Sequence, residues 1–327
     1  MNASGPRHMR WLLCGFVLAA LPGISAAQSL MQRAILQGQA AARDSAQAHY
    51  LNAARLAAEG KYGPAIETMR KAIEFLPSEP RLRSDLASLI LASGDKAGAV
   101  RELEALASQV PPHAPAVVQL GDLRLADGDT AGAVRAYQSV VGGVLPYALA
   151  YVRLGDVAQD QGKRAEAVRM YQQATSIDST LIEAWLSLGS IFVIMDRYQD
   201  ALNAFDRAVR LAPDDEVPNG LRALAQQRKQ DYDEGIASGK MRARMILAPT
   251  REQAEQHRRQ LLAGADFIAL AHRLSSDPTS EVGGDLGFFG EGDLIPEFEQ
   301  AVKALRPGQI SPVIQLPSGY AIILRVN

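Results

Sequence analysis

The sequence predicts two folds in series, an all-α solenoid followed by a small α+β domain. Three observations carry this. Small and large apolar residues recur with a period of about 34 residues between residues 46 and 215. The period then stops. From Met241 onward, short apolar runs of strand character alternate with helical stretches and glycine-rich turns. The chain has 327 residues, 47% hydrophobic and 21% charged, the composition of a folded multidomain protein.

Residues 1–27 read as a secretory signal. Arg7 and Arg10 form a basic start, Trp11 to Ala20 is apolar, and Ser25-Ala26-Ala27 offers small residues for cleavage before Gln28. The apolar run is shorter than the roughly 20 residues a membrane span needs. The rival reading is an uncleaved anchor. Cys14, the only cysteine, lies inside the signal and follows Leu13, where lipidation would want a small residue. The mature chain then has no thiol, no disulfide and no Cys-ligated metal, and its expected location is the periplasm. The net charge of -2 becomes two units more acidic when Arg7 and Arg10 are removed. With no basic block, nucleic acid is not an expected partner. No membrane span is expected after cleavage.

Residues 28–45 are Ala/Gln-rich and read as an N-terminal capping helix. Residues 46–215 hold five repeats. Ala65, Ala99, Ala133, Ala167 and Ala201 mark one phase; Met69, Leu103, Tyr137, Tyr171 and Phe205 mark another. Leu86, Leu120, Leu154 and Leu188 mark a third, beside Ala87, Gly121, Gly155 and Gly189. Small residues let paired helices approach and large ones fill the space between them. Gly60, Gly94, Gly128 and Gly162 fall in the turn between the two helices of a pair, where a left-handed residue ends a helix cheaply. The fifth copy has Asp196 there. The pattern resembles the tetratricopeptide repeat (TPR), a helix–turn–helix unit. The resemblance implies a concave surface for peptides or partner proteins and no catalytic apparatus. Trp185, Tyr151, Tyr171 and Phe205 read as repeat core, with a ligand platform as the alternative. Asn52, Arg55, Arg124, Arg153 and Gln159 are the polar candidates on the concave face.

Residues 216–240 read as a capping helix from Val217 to Gln230, then a linker through Asp231-Tyr232-Asp233-Glu234-Gly235 to Gly239. In residues 241–327, Arg244 to Leu247 is a strand. Thr250 caps a helix to Leu262, with Gln253 three residues on. A second helix opens at Asp266-Phe267, a third runs to Leu305, and strands follow Pro312 and Gly319. The segments GADFIALAHRLSSDP, GGDLGFF, LIPEFEQAV and SPVIQLPSGY stand in this order. Order and spacing resemble the parvulin, or PpiC-type, prolyl isomerase domain of the exported SurA and PrsA folding factors.

That resemblance implies cis–trans isomerisation of X–Pro bonds in client proteins, without a covalent step or cofactor. Leu294 and Phe298, with Leu286 beneath, match the family's proline pocket; Phe288 and Phe289 match an aromatic position. Asp277 falls at or beside an acidic position, and Ser318 matches a hydroxyl. The departures lie at the family's two central histidines, replaced here by Met245 and Ala321. The other histidines, His8, His49, His113, His257 and His272, are not placed to substitute, the last two being read as exposed. A prolyl isomerase on client proteins held by the repeats is therefore expected, with catalysis weakened. A non-catalytic binding module, or a scaffold in an envelope assembly, is the alternative. The glycine-rich Gly283 to Gly287 lacks the Lys-Ser/Thr of a phosphate loop, and no metal-ligand spacing occurs.

Overall fold

The computed structural model describes residues 26–142 and 146–327. The expected export signal, residues 1–27, lies outside the described residues except for 26 and 27, which begin the first helix. The chain divides into two compact units after Glu102.

In the first unit, α1 (Ala26–Ala58), α2 (Tyr62–Phe75) and α3 (Pro80–Ala92) form the start of the repeat array. The predicted capping helix is not separate. It runs unbroken into the first repeat helix as α1, since no Gly or Pro intervenes at 39–58 to end it. Ala53, Met69, Ala72, Leu86 and Ala99 share its core, the last from α4 (Lys96–Ala107), which crosses the unit boundary.

The second unit holds three further hairpins. They are α5 (Ala114–Ala126) with α6 (Thr130–Ser139), α7 (Ala148–Asp160) with α8 (Arg164–Ile177), and α9 (Ile182–Ile194) with α10 (Tyr198–Leu211). Each hairpin is closed by the same small–large pair. A Cβ on Gly121, Gly155 or Gly189 would sit 2.3, 2.4 or 2.4 Å from the ring of Tyr137, Tyr171 or Phe205. Tyr171 and Phe205 are fully buried, and Tyr151 and Trp185 pack on the same cluster, so these aromatics are repeat core. In two hairpins the ring hydroxyl also crosses back: Tyr137 donates to Asp122 at 2.7 Å and Tyr171 to Asp156 at 2.8 Å. The third has Phe205, and Ser190 in place of the aspartate.

Next comes α11 (Glu216–Ala237). The expected linker at 231–237 is instead the last turns of this helix. Tyr232 packs between Tyr198 and Phe288, at ring distances of 5.5 and 5.6 Å, and Gly235 lies under the Phe288 ring. Those contacts hold helical a stretch whose Asp and Gly content reads locally as loop. Three residues later the sheet domain begins. Its strands β1 (Met241–Ala248), β2 (Asp285–Phe289), β3 (Ile314–Leu316) and β4 (Gly319–Arg325) form an antiparallel sheet in the order β2-β1-β4-β3. Helices α12 (Arg251–Leu262) and α13 (Phe267–Leu274) pack Leu261, Phe267 and Leu270 against Ile246 and Ile322 on one face. Helix α14 (Pro296–Lys303) covers the other. Thr250 caps α12 through its hydroxyl, accepting from the Gln253 amide.

Candidate active site

Successive side chains of a strand point to opposite faces. In β1 this sends Ala243, Met245 and Leu247 to the α14 face. Opposite them on β4 lie Ala321 and Ile323, with Met245 paired to Ile323 and Leu247 to Ala321. Phe289, Phe298, Val302, Leu305 and Leu316 complete a buried cluster, with Leu286 and Leu294 half-buried at its margin. Five sequence-selected residues therefore meet on one face: Met245, Ala321, Leu286, Leu294 and Phe298.

A bulge explains how β2 contributes. The pairing runs Met241 to Phe289 and Arg242 to Phe288, then slips so that Arg244 faces Asp285. One extra residue on β2 reverses the alternation. Leu286 and Phe289, three apart, both join the apolar cluster, while Asp285 and Phe288 turn to the other face. Phe288 is thus not part of the apolar cluster; it rests on α11. Phe289 joins the cluster instead, its ring 6.1 Å from that of Phe298 in an edge-on arrangement. Two adjacent phenylalanines cannot be told apart by sequence when a bulge sets the phase.

Leu294 is carried by a loop that a buried acid holds. Glu299 on α14 is 6% exposed, and one of its oxygens accepts from the amides of Gly292 at 2.8 Å and Leu294 at 3.0 Å. Asp293 closes the same loop by accepting from the Gly290 amide. Asp277 caps the short 3-10 turn Pro278–Val282, accepting from the Thr279 amide and hydroxyl at 2.8 and 2.6 Å. Its carboxylate is spent on that turn. Ser275 and Ser276 tie this segment to Leu247 of β1. Gly284 has φ +77°, and a Cβ there would lie 2.2 Å from the Met245 carbonyl, so the loop can close on β1 only through glycine. Ser318 is exposed in the turn between β3 and β4.

The cluster has no titratable group at its centre. Met245 is 7% exposed and Ala321 fully buried, and neither side chain can donate a proton. His272 is exposed as expected, but His257 is not: it is 9% exposed on α12. Burial, with Arg273 adding to it, holds its imidazole below the ordinary histidine range. It stands on the helix behind the sheet and takes no part in the apolar face. Among the described residues, no His/Cys/Asp/Glu group is placed to hold a metal, and no helix is long and apolar enough to cross a membrane.

The sheet domain, from residue 236 to 327, matches the PPIC-type PPIASE family, Rotamase, and residues 84–144 and 152–216 match the tetratricopeptide repeat. The chain joins tetratricopeptide repeats to a PPIC-type rotamase domain. Foldase protein PrsA of Caldanaerobacter subterraneus is 40% identical over 110 residues, 33% of this chain and 36% of that protein. Chaperone SurA of Nitrosospira multiformis is 39% identical over 117 residues, 32% of this chain and 26% of that protein. The match thus spans about a third or less of these relatives. A solved TPR protein of Thermus thermophilus is 22% identical, with a TM-score of 0.46, over 56% of this chain and 99% of that one.

On the repeats, the polar candidates are engaged with neighbouring side chains. Arg153 on α7 reaches Asp122 at 3.2 Å, Asp156 at 3.3 Å and Glu183 at 2.6 Å. Gln159 accepts from the Tyr171 hydroxyl at 3.4 Å, Arg124 pairs with Glu104, and Arg55 with Asn52 and Glu59.

The rotamase domain also carries a polar group that local sequence reading overlooks. Arg242 and Arg244, adjacent on one face of β1, bind Asp285 and, from the repeats, Asp196. Burial alone would raise the Asp285 carboxyl, but its hydrogen bonds from Arg242 and the charges of Arg244 and Arg242 outweigh it and hold it below the usual range. The signal was the i, i+2 arginine pair in an otherwise apolar strand.

Proposed function

We propose that the protein is an exported folding or assembly factor of the cell envelope. Its repeats hold a client polypeptide and its rotamase domain engages X–Pro segments, turning them over slowly. The observation that carries this is the shared apolar face of Leu286, Leu294, Phe298, Met245 and Ala321. An X–Pro bond isomerises over a barrier of about 18–20 kcal/mol, and the twisted amide at the summit has lost its resonance and part of its polarity. A dry apolar surface binds that state in preference to the planar amide, which is catalysis by differential binding. Without a donor or acceptor at positions 245 and 321, the electrostatic part of the stabilisation is missing. Export is supported by the pattern of residues 1–27, and a role in folding by the relatives' names, a foldase and a chaperone.

The replacement of both histidines supports a second reading, in which the domain binds proline segments without turnover. A protease-free assay of the mature chain on a proline tetrapeptide separates the two. Under the first reading the wild type accelerates isomerisation modestly, Phe298→Ala abolishes it, and Met245→His with Ala321→His increases it. Saturable binding of the peptide with no acceleration establishes the second. Neither binding nor acceleration sinks both.

A further inference from the structure

The turn of the fifth hairpin breaks the pattern of the other four. Gly60, Gly94, Gly128 and Gly162 adopt φ of 74°, 95°, 81° and 73°, and Asp196 adopts φ 57° in the same place. A left-handed aspartate is less favourable than glycine, so the local backbone gives no reason for it. Its carboxylate gives one. The two oxygens accept from Arg242 at 3.1 Å and Arg244 at 2.8 Å, and the Tyr198 hydroxyl donates to it at 2.8 Å. Asp285 completes a group of two guanidiniums and two carboxylates, with side chains only 10, 6, 14 and 15% exposed for Arg242, Arg244, Asp196 and Asp285. An aromatic stack, Tyr198–Tyr232–Phe288, lies alongside, with Arg242 over the last two rings. A second contact uses the preceding hairpin turn. Arg164, 9% exposed, pairs with Asp266, and Ala269 packs so closely on Gly162 that a Cβ there would come within 2.3 Å.

Every one of these contacts is made from the side of the sheet domain opposite the apolar cluster. We propose that Asp196 is a latch that fixes the rotamase domain to the fourth and fifth repeats as one rigid body, with its proline-binding face turned away from them. Residues 238–240 are the only covalent connection, and Gly239 has φ 71°, so without the latch the domain pivots there. Under the client-binding reading above, the latch sets a fixed distance between a segment held by the repeats and a proline in the pocket. That selects extended protein clients over short peptides and raises the effective concentration of the second contact. The rigid mount itself does not depend on that reading.

Backbone amide relaxation of the full chain tests it. In the wild type, residues 241–327 tumble with the same correlation time as residues 148–237. In Asp196→Gly combined with Arg164→Ala, the repeats keep their spectrum and the correlation time of residues 241–327 falls about twofold. Asp196→Asn keeps the turn and removes the charge, and moves in the same direction by less. A shorter correlation time for residues 241–327 already in the wild type overturns the proposal. So does an unchanged one in both variants. A decoupled variant with unaltered turnover of a protein client retains the latch and sinks only its link to clients.

Discussion

Replacing Glu299 with alanine should free the loop that presents Leu294 to the apolar face. The buried carboxylate holds two amides, Gly292 at 2.8 Å and Leu294 at 3.0 Å, and Glu299→Ala removes both hydrogen bonds at once. A hydrogen bond to a charged group contributes about 1.5–3 kcal/mol net. The loop is exposed at Gly292 and Asp293, so water satisfies part of what is lost, and the low end applies to each bond. The sum is about 3 kcal/mol of loop-closing free energy, or roughly a hundredfold in the opening equilibrium. Amide hydrogen exchange on the full chain reads this directly. Protection at Gly292 and Leu294 should fall by about that factor, while Ile322 and Ile323 in β4 keep theirs. Glu299→Gln, which keeps a neutral acceptor, should lose about half as much free energy. Binding of a proline peptide should weaken in the same order. An alanine variant whose Leu294 amide stays protected would refute the argument, because the loop would then be held by something other than this carboxylate.

Packing and burial lead to three further outcomes. Gly189→Ala places a methyl 2.4 Å from the Phe205 ring and should cost about 1–3 kcal/mol in thermal stability, with Phe205→Leu restoring part of it. Gly220→Ala on α11 meets nothing within 4 Å and should raise stability by up to about 1 kcal/mol. His257 is held below its ordinary value by burial and Arg273, so the folded state favours the neutral ring. Its contribution is present above the unfolded histidine pKa of about 6.5 and is lost as pH falls through it towards the folded value. Urea midpoints at about pH 7.5 and about pH 5.5 should therefore differ more in the wild type than in His257→Gln.

The repeat array was legible because its determinant is local and recurs. A glycine opposite an aromatic closes each hairpin of the second unit, and the same register can be counted along the chain. The apolar face was legible for a related reason, since alternation along β1 and β4 places Met245 and Ala321 on one side without further information. What escaped depends on contacts distant in sequence. Tyr232 and Gly235 look like linker residues until Phe288 is packed on them. Phe288 and Phe289 exchange roles because a bulge at Leu286 and Gly287 shifts the phase of β2. His257 lies in a helix so polar that exposure is the natural expectation, yet it is 9% exposed, with the charge of Arg273 from α13 acting on it. Asp196 stands out in the sequence as an exception among glycines, but its meaning lies in two arginines more than forty residues away.

The two departures at positions 245 and 321 and the latch behind the sheet act on the same balance. A rotamase site with paired histidines relies on oriented polar groups beside the reacting amide. Here those groups are replaced by a thioether and a methyl within a continuous apolar face, while the charged side chains of β1 all point to the opposite side. Under the proposed reading, the domain keeps its polarity for attachment and presents an apolar surface to the client. Under the proposed reading this lowers what the site can do to the transition state and leaves its hold on proline intact. Under the same reading a fixed mount compensates in part, because a client held by the repeats samples the pocket at high effective concentration, and a slow catalyst visited often still speeds folding. Bond rotation that takes tens to hundreds of seconds unaided needs only modest acceleration to matter at that occupancy.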